Sequence, residues 1–123
     1  MHPTTAPALV VQRQLDAYNA RDLDALLAVY APDAALYQHP DTLLARGTAA
    51  LRERFAPRLA EPNLHARLLH RTVLGDLVVD TETVTRTFPA GPGELDCVMI
   101  YRVAGDHIAQ AWSIAGAPRL SAA

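Results

Sequence analysis

Beyond residue 64 the chain consists of four β-rich stretches, roughly 64–74, 77–88, 94–103 and 107–115, with no helical pattern between them. The joins are Gly75-Asp76, Pro89-Ala90-Gly91-Pro92-Gly93 and Ala104-Gly105-Asp106. Parallel neighbours need a crossover of about a dozen residues or more, so stretches joined this tightly pair as an antiparallel meander. The first half of the chain supplies helices to cover it. Ala8, Val11, Leu15 and Tyr18 recur at helical spacing after Thr5-Ala6-Pro7, a cap candidate with proline in the first turn. Asn19-Ala20-Arg21-Asp22 breaks that helix, and Asp22 can cap a second whose stripe is Leu23, Leu26, Leu27 and Tyr30, stopped by Pro32. A short extended piece, Ala34 to Gln38, closes at His39-Pro40. Thr48 then caps a third predicted helix carrying Leu51 and Phe55, with Pro57 near its end. Three helices followed by a mostly antiparallel sheet predict an α+β layer fold. The 123 residues make one domain, expected over 7–117, with flexible tails at 1–6 and 118–123.

Composition excludes several chemistries. All 11 basic residues are Arg, which leaves no Schiff-base lysine, phosphate-loop lysine or lysine base. Neither serine, Ser113 or Ser121, sits in a G-x-S-x-G turn, and the single cysteine, Cys97, forbids an intrachain disulfide or a C-x-x-C pair. No Gly-rich phosphate loop follows a strand, so no nucleotide cofactor is implied. A net charge of −2 gives no general attraction to nucleic acid or anionic membrane. The start, Met1-His2-Pro3-Thr4-Thr5, lacks the layout of a signal peptide and no apolar run is long enough to span a bilayer, so a cytoplasmic location is expected. A metal site is not expected. His65 and His70 fall on opposite faces by odd spacing, His107 lies in a turn and His2 in a tail.

Register across Gly75-Asp76 locates a candidate site. A two-residue turn there sets Arg71 opposite Asp80 and Leu69 opposite Glu82, so Leu69, Arg71, Val73, Val78, Asp80, Glu82 and Val84 share one face. From the residues alone, either face can be the inner one. On the next strand Leu95, Cys97, Met99, Tyr101 and Val103 form an apolar side that must be buried. On the last, small Ala109, Ala111, Ser113 and Ala115 alternate with Ile108, Gln110, Trp112 and Ile114. Small residues suit a cavity wall, and a large face with Trp112 suits a partner.

The segments Asn19-Ala20-Arg21-Asp22-Leu23-Asp24-Ala25, Tyr30-Ala31-Pro32-Asp33-Ala34 and Gly47-Thr48-Ala49-Ala50-Leu51-Arg52-Glu53 resemble ketosteroid isomerase and SnoaL-like members of the nuclear-transport-factor-two-like superfamily. The last strand, with Ile108 and Trp112, is similar to that family's closing strand, and the resemblance covers about residues 8–116. It implies a cystatin-like α+β roll, a cone of three helices wrapped by a curved sheet around a deep apolar pocket. It also implies a homodimer through the outer sheet face, Trp112 included. Asp80, Glu82, Val84, Cys97, Met99 and Tyr101 should then look into the pocket, and Trp112 out of it.

The catalytic groups of those relatives do not carry over. The position matching the isomerase tyrosine is Gln14, and the one matching its protonated aspartic acid is Met99. The general base falls at Gln38 or His39. The His and Asp that flank the closing-strand tryptophan in SnoaL-like cyclases fall at Ala111 and Ser113.

Other residues must therefore carry any chemistry. Asp80 and Glu82 point the same way about 7 Å apart along one strand. With Arg71 pairing Asp80, Glu82 is desolvated beside a second carboxylate, which raises its pKa toward that of a general base at neutrality. His39, at the pocket mouth, is a second candidate base. Gln14 and Tyr18, one turn apart, can hydrogen-bond a ligand carbonyl, and Gln38, Phe55, Arg71, Cys97, Met99 and Tyr101 complete the expected ligand contacts. Cys97 reads as an inert buried thiol. Arg52-Glu53-Arg54 with Arg58 reads as the solvated face of the third helix.

The expected function is a cofactor-independent isomerase or lyase that moves a proton on a small carbonyl compound. The alternative is a non-catalytic small-molecule-binding or interaction module of the same fold.

Overall fold

A computed structural model describes residues 6–121. In chain order it has α1 (Pro7–Ala20), α2 (Leu23–Val29), β1 (Tyr30–Gln38), β2 (Thr42–Arg46), α3 (Thr48–Leu59), β3 (His65–Leu74), β4 (Leu77–Phe88), β5 (Gly91–Ala104), β6 (His107–Ala115) and β7 (Arg119–Leu120). The sheet runs β2-β1-β6-β5-β4-β3, with β7 on β5. Among the described residues only β1 and β6 pair in parallel. The three helices lie over one face of this mostly antiparallel sheet, and the core sits between them (Val10, Val11, Leu26, Leu51, Val78, Tyr101 and Ile108). This is the expected α+β architecture. No helix among the described residues is long and apolar enough to cross a membrane.

Local chemistry explains most of the boundaries. Pro7 opens α1, where a missing N–H costs nothing, while the expected cap Thr5 lies outside the described residues. Arg21 ends the helix at φ 60°, and its guanidinium donates to the carbonyls of Leu59, Glu61, Pro62 and Leu64. Asn19 exchanges two 2.9 Å hydrogen bonds with the backbone of Ala66. The chain break between the first two helices thus fastens them to the loop entering β3. Asp22 caps α2 as predicted, accepting from the Ala25 N–H at 3.1 Å.

Tyr30 does not end α2 but opens β1. Pro32 is tolerated there because the β1–β6 ladder is interrupted between Tyr30 and Ala35, so no ladder donor is lost. Strand β2, which returns along β1, was not expected. Gly47 rather than Thr48 caps α3, at φ 85° where a side chain would be strained. Strand β5 begins at Gly91, making Pro89-Ala90 a two-residue hairpin.

Two bulges change the expected faces. Leu69 is an extra residue between Leu68 and His70, so Leu68, not Leu69, lies opposite Glu82, and Leu69 turns to solvent. The same bulge puts His65 and His70 opposite Thr85 and Thr81, on one exposed face and about 13 Å apart along the strand, rather than on opposite faces. Ala109 is extra between Ile108 and Gln110, which sends Ile108 into the core instead of beside Trp112.

Arg119–Leu120, expected in a free tail, instead pair with Gly93 and Glu94, and Arg119 forms ion pairs with Asp96 and Glu94. This pairing requires a glycine. A Cβ on Gly93 would overlap the Arg119 carbonyl oxygen and lie 2.9 Å from Leu120 Cα. Gly93→Ala is therefore expected to detach β7, leaving the Ser121 amide, which donates to the Pro92 carbonyl, fast in hydrogen exchange. Undiminished protection of that amide would refute the close approach.

Candidate functional site

A cavity of about 210 Å³ lies between the helices and the inner face of the sheet. That is below the ~300–1,000 Å³ of most ligand pockets and suits a compact occupant. The wall is built by period. From α1 come Gln14, Leu15 and Tyr18; from α3, Arg54, Phe55 and Arg58. Alternate residues of β4, Glu82, Val84 and Arg86, face alternate residues of β5, Leu95, Cys97, Met99 and Tyr101. Tyr30, Leu36, Leu44, Ala66, Ser113 and Ala115 complete it.

Glu82 is the one acid on this wall and is 5% exposed. Burial, and then the charge of Asp80, push its carboxyl up to about 7, against a smaller opposing pull from Arg71. Among the described residues its one hydrogen-bond partner is the Cys97 thiol, at 4.0 Å. That thiol is itself pushed up to about 12 by burial and by Glu82, so it stays protonated and unreactive. Glu82 thus keeps its acceptor capacity for something else.

Three phenols share the cavity. The Tyr101 hydroxyl donates to Gln14 Oε1 at 3.3 Å. Burial holds Tyr101, Tyr30 and Tyr18 above the ordinary tyrosine pKa, so all three remain neutral hydrogen-bond donors near pH 7. A carboxyl titrating near neutrality beside neutral hydroxyl donors is the equipment for moving a proton next to a carbonyl.

Residues 11–111 match the family model of the SnoaL-like domain. The chain belongs to the SnoaL-like domain family. It is thereby a member of the nuclear-transport-factor-two-like superfamily. A cystatin-fold protein from Novosphingobium aromaticivorans superposes with TM-score 0.81 at 23% identity, over 89% of this chain and 98% of the other. IdmH from Streptomyces antibioticus, proposed to be a polyketide cyclase, gives 0.76 at 22% over 90% and 92%. A protein of ketosteroid isomerase-like fold from Catenulispora acidiphila, in complex with trimethylamine, gives 0.74 at 18% over 85% and 83%. At such identities the likeness is one of fold. No curated protein matches the sequence significantly.

In this SnoaL-like domain seven of the eleven expected site residues meet at the cavity: Glu82, Gln14, Tyr18, Phe55, Cys97, Met99 and Tyr101. Four do not. Asp80 shares Glu82's face but lies off the cavity wall at 0% exposure, both oxygens held by Arg71 at 2.7 and 2.9 Å. Arg71 lies behind the wall as well, its Nη1 donating to Gln12 Oε1 and to the Ala8 carbonyl. The pair therefore acts on the cavity through its charges, felt at Glu82 and at Tyr101. Gln38 and His39 are exposed at the end of β1, outside the lining. Strand β1 stays paired with β6 as far as Gln38, opposite Ser113, and the two base candidates sit at and just past that end, beyond the lining.

Arg54, Arg58 and Arg86 were not anticipated. Arg54 and Arg58, read as solvated, also line the cavity, Arg54 exposed and Arg58 half-buried, while Glu53 is exposed and Arg52 pairs with Asp24 at 3.0 Å. Their signal was present in the sequence. Leu51, Arg54, Phe55 and Arg58 stand at i, i+3, i+4, i+7, and Arg86 continues the alternation of Glu82 and Val84. Among the described residues no three His, Cys, Asp or Glu side chains are grouped to hold a metal.

Proposed function

We propose that this SnoaL-like domain binds a small, largely apolar carbonyl compound and transfers a proton on it, with Glu82 as the base. The observation that carries the reading is an acid of the cavity wall whose carboxyl is raised to about 7 and has no strong hydrogen-bond partner of its own. Glu82 as carboxylate takes the proton from the carbon next to the carbonyl, and the electron pair moves onto the carbonyl oxygen. Gln14 and the neutral phenols stabilise the resulting enolate. Returning the proton to a different carbon gives an isomerase; expelling a group from the next carbon gives a lyase. Neither needs a cofactor. The neighbour IdmH, proposed to be a polyketide cyclase, is consistent with carbonyl substrates in this fold.

Deuterium uptake next to the carbonyl of small enolisable ketones, followed by NMR, tests this. Exchange above the buffer rate is expected, rising with pH through an inflection near 7 as Glu82 ionises. Ketones that bind without exchange would favour the non-catalytic binding module.

We further propose that two copies pair through the outer face of β1, β5 and β6. Trp112 stacks there on Tyr37 with ring centroids 5.8 Å apart, and Ile114 is 43% exposed. Native mass spectrometry is expected to show a dimer that Trp112→Asp converts to a monomer. A monomeric wild type would rule the interface out.

A further inference from the structure

We propose that Arg54, Arg58 and Arg86 form a carboxylate subsite at the cavity mouth, so that the ligand is amphipathic, with its apolar body inside and its acid group at the entrance. The inference deepens the carbonyl-compound reading, on which it rests, by naming a second group on that compound. The three arginines line both the cavity and an adjoining groove floored by Pro57, Glu61 and Thr87, so they mark the boundary between the two. Among the described residues none of the three has a carboxylate within ion-pairing distance, whereas Arg52, Arg71, Arg102 and Arg119 each do.

Glu61, the acid on the groove, directs its oxygens to Thr87 and the Asn63 amide instead. Arg86 Nε is buried with no hydrogen-bond partner. Burial, and then the charge of Arg58, hold the Arg54 and Arg86 guanidiniums below the ordinary arginine range. Clustered like charges and an unsatisfied N–H are what a bound anion relieves, and the guanidinium fork fits a carboxylate in two-point contact.

The opposite end of the cavity rejects the same group. Glu82 stands on the same face of β4 as Arg86, four residues away and about 13 Å between Cα atoms. An acid head is repelled there and attracted at the mouth, which orients the ligand with its carbonyl end toward Glu82.

Calorimetric titration of the full chain with octanoate and with octanamide reads the subsite. Octanoate is expected to bind at least about tenfold tighter, the ratio set by one charge-assisted hydrogen bond. That ratio should shrink severalfold in R58Q and in R86Q, and hold in R52Q, which removes the same charge from the same helix outside the cavity. Should R86Q not fold, R54Q and R58Q decide, since Arg54 is exposed and Arg58 half-buried, and neither belongs to the core. Equal binding of acid and amide, no binding of either, or an equal loss in R52Q overturns the subsite. Octyl phosphate preferred tenfold over octanoate overturns its assignment to a carboxylate. Failure of Glu82 as a base leaves the acid-to-amide ratio intact, and failure of the subsite leaves the pH profile of ketone exchange intact.

Discussion

Glu82→Gln is expected to make the protein more stable at pH 8 than at pH 4, relative to wild type, while lowering proton transfer by about 10²–10⁴-fold. The carboxyl is raised from an ordinary 4.5 to about 7 by burial and by Asp80. Below pH 4.5 it is protonated in folded and unfolded chains alike and costs nothing. Between 4.5 and 7 the unfolded chain releases the proton and the folded chain keeps it, so wild-type stability falls as pH rises. Above 7 the loss is complete, at about 3 kcal/mol for a shift of this size. Glutamine has the same shape and no ionisation, so this slope vanishes. The check is urea unfolding of both proteins at pH 4 and pH 8, taking the difference of differences so that any fixed change in packing cancels. Parallel stability profiles would show that Glu82 ionises freely in the fold, and its candidacy as a base would end with them. A group that destabilises the fold in the state in which it would act is a frequent property of functional sites.

How much of this was legible depended on period. Alternation along β4 and β5 is uninterrupted from Leu77 to Phe88 and from Gly91 to Arg102, and there the family resemblance, which alone chose the inner face, put Glu82, Cys97, Met99 and Tyr101 on one face as observed. Where a ladder takes an extra residue the period fails silently. Leu69 and Ala109 are ordinary apolar residues in apolar stretches, and nothing in their chemistry announces a bulge. Both errors were of one residue, and each turned a side chain to the wrong side. The third helix shows a different limit. Reading its arginines as solvated holds for Arg52 and Arg54, which are exposed, but the spacing also sets Arg54 and Arg58 on the stripe of Leu51 and Phe55, where they reach the cavity. A charged residue on an inward stripe is costly unless something pairs with it, and a cavity mouth is one place where the partner arrives from outside. His39 lies off the lining for a third reason. The position was carried over from relatives, but the end of β1 lies outside the cavity lining.

The Asp80–Arg71 pair is expected to be the most expensive polar contact in the molecule to break. Asp80 is fully buried, and Arg71 meets it through two hydrogen bonds of 2.7 and 2.9 Å while its own side chain is 15% exposed. Arg71→Leu strands a buried carboxylate, which typically costs about 3–5 kcal/mol. Chemical denaturation should show this loss directly. The double variant Arg71→Leu with Asp80→Leu removes both charges and should recover most of it, because a matched apolar pair has no desolvation to offset. Equal stability of single and double variants would mean that Asp80 finds water or another partner. The pair also sets the charge felt by Glu82, which gives a readout that a purely structural role would not move. Asp80 raises the Glu82 carboxyl and Arg71 lowers it. Asp80→Asn should therefore shift the inflection of ketone exchange to lower pH, and Arg71→Leu should shift it higher. Burial, the largest cause, remains in both. Opposite shifts would identify these two residues as positioning groups that tune Glu82 from behind the wall, and an inflection unmoved in either variant would reduce the pair to a structural clamp between α1, β3 and β4.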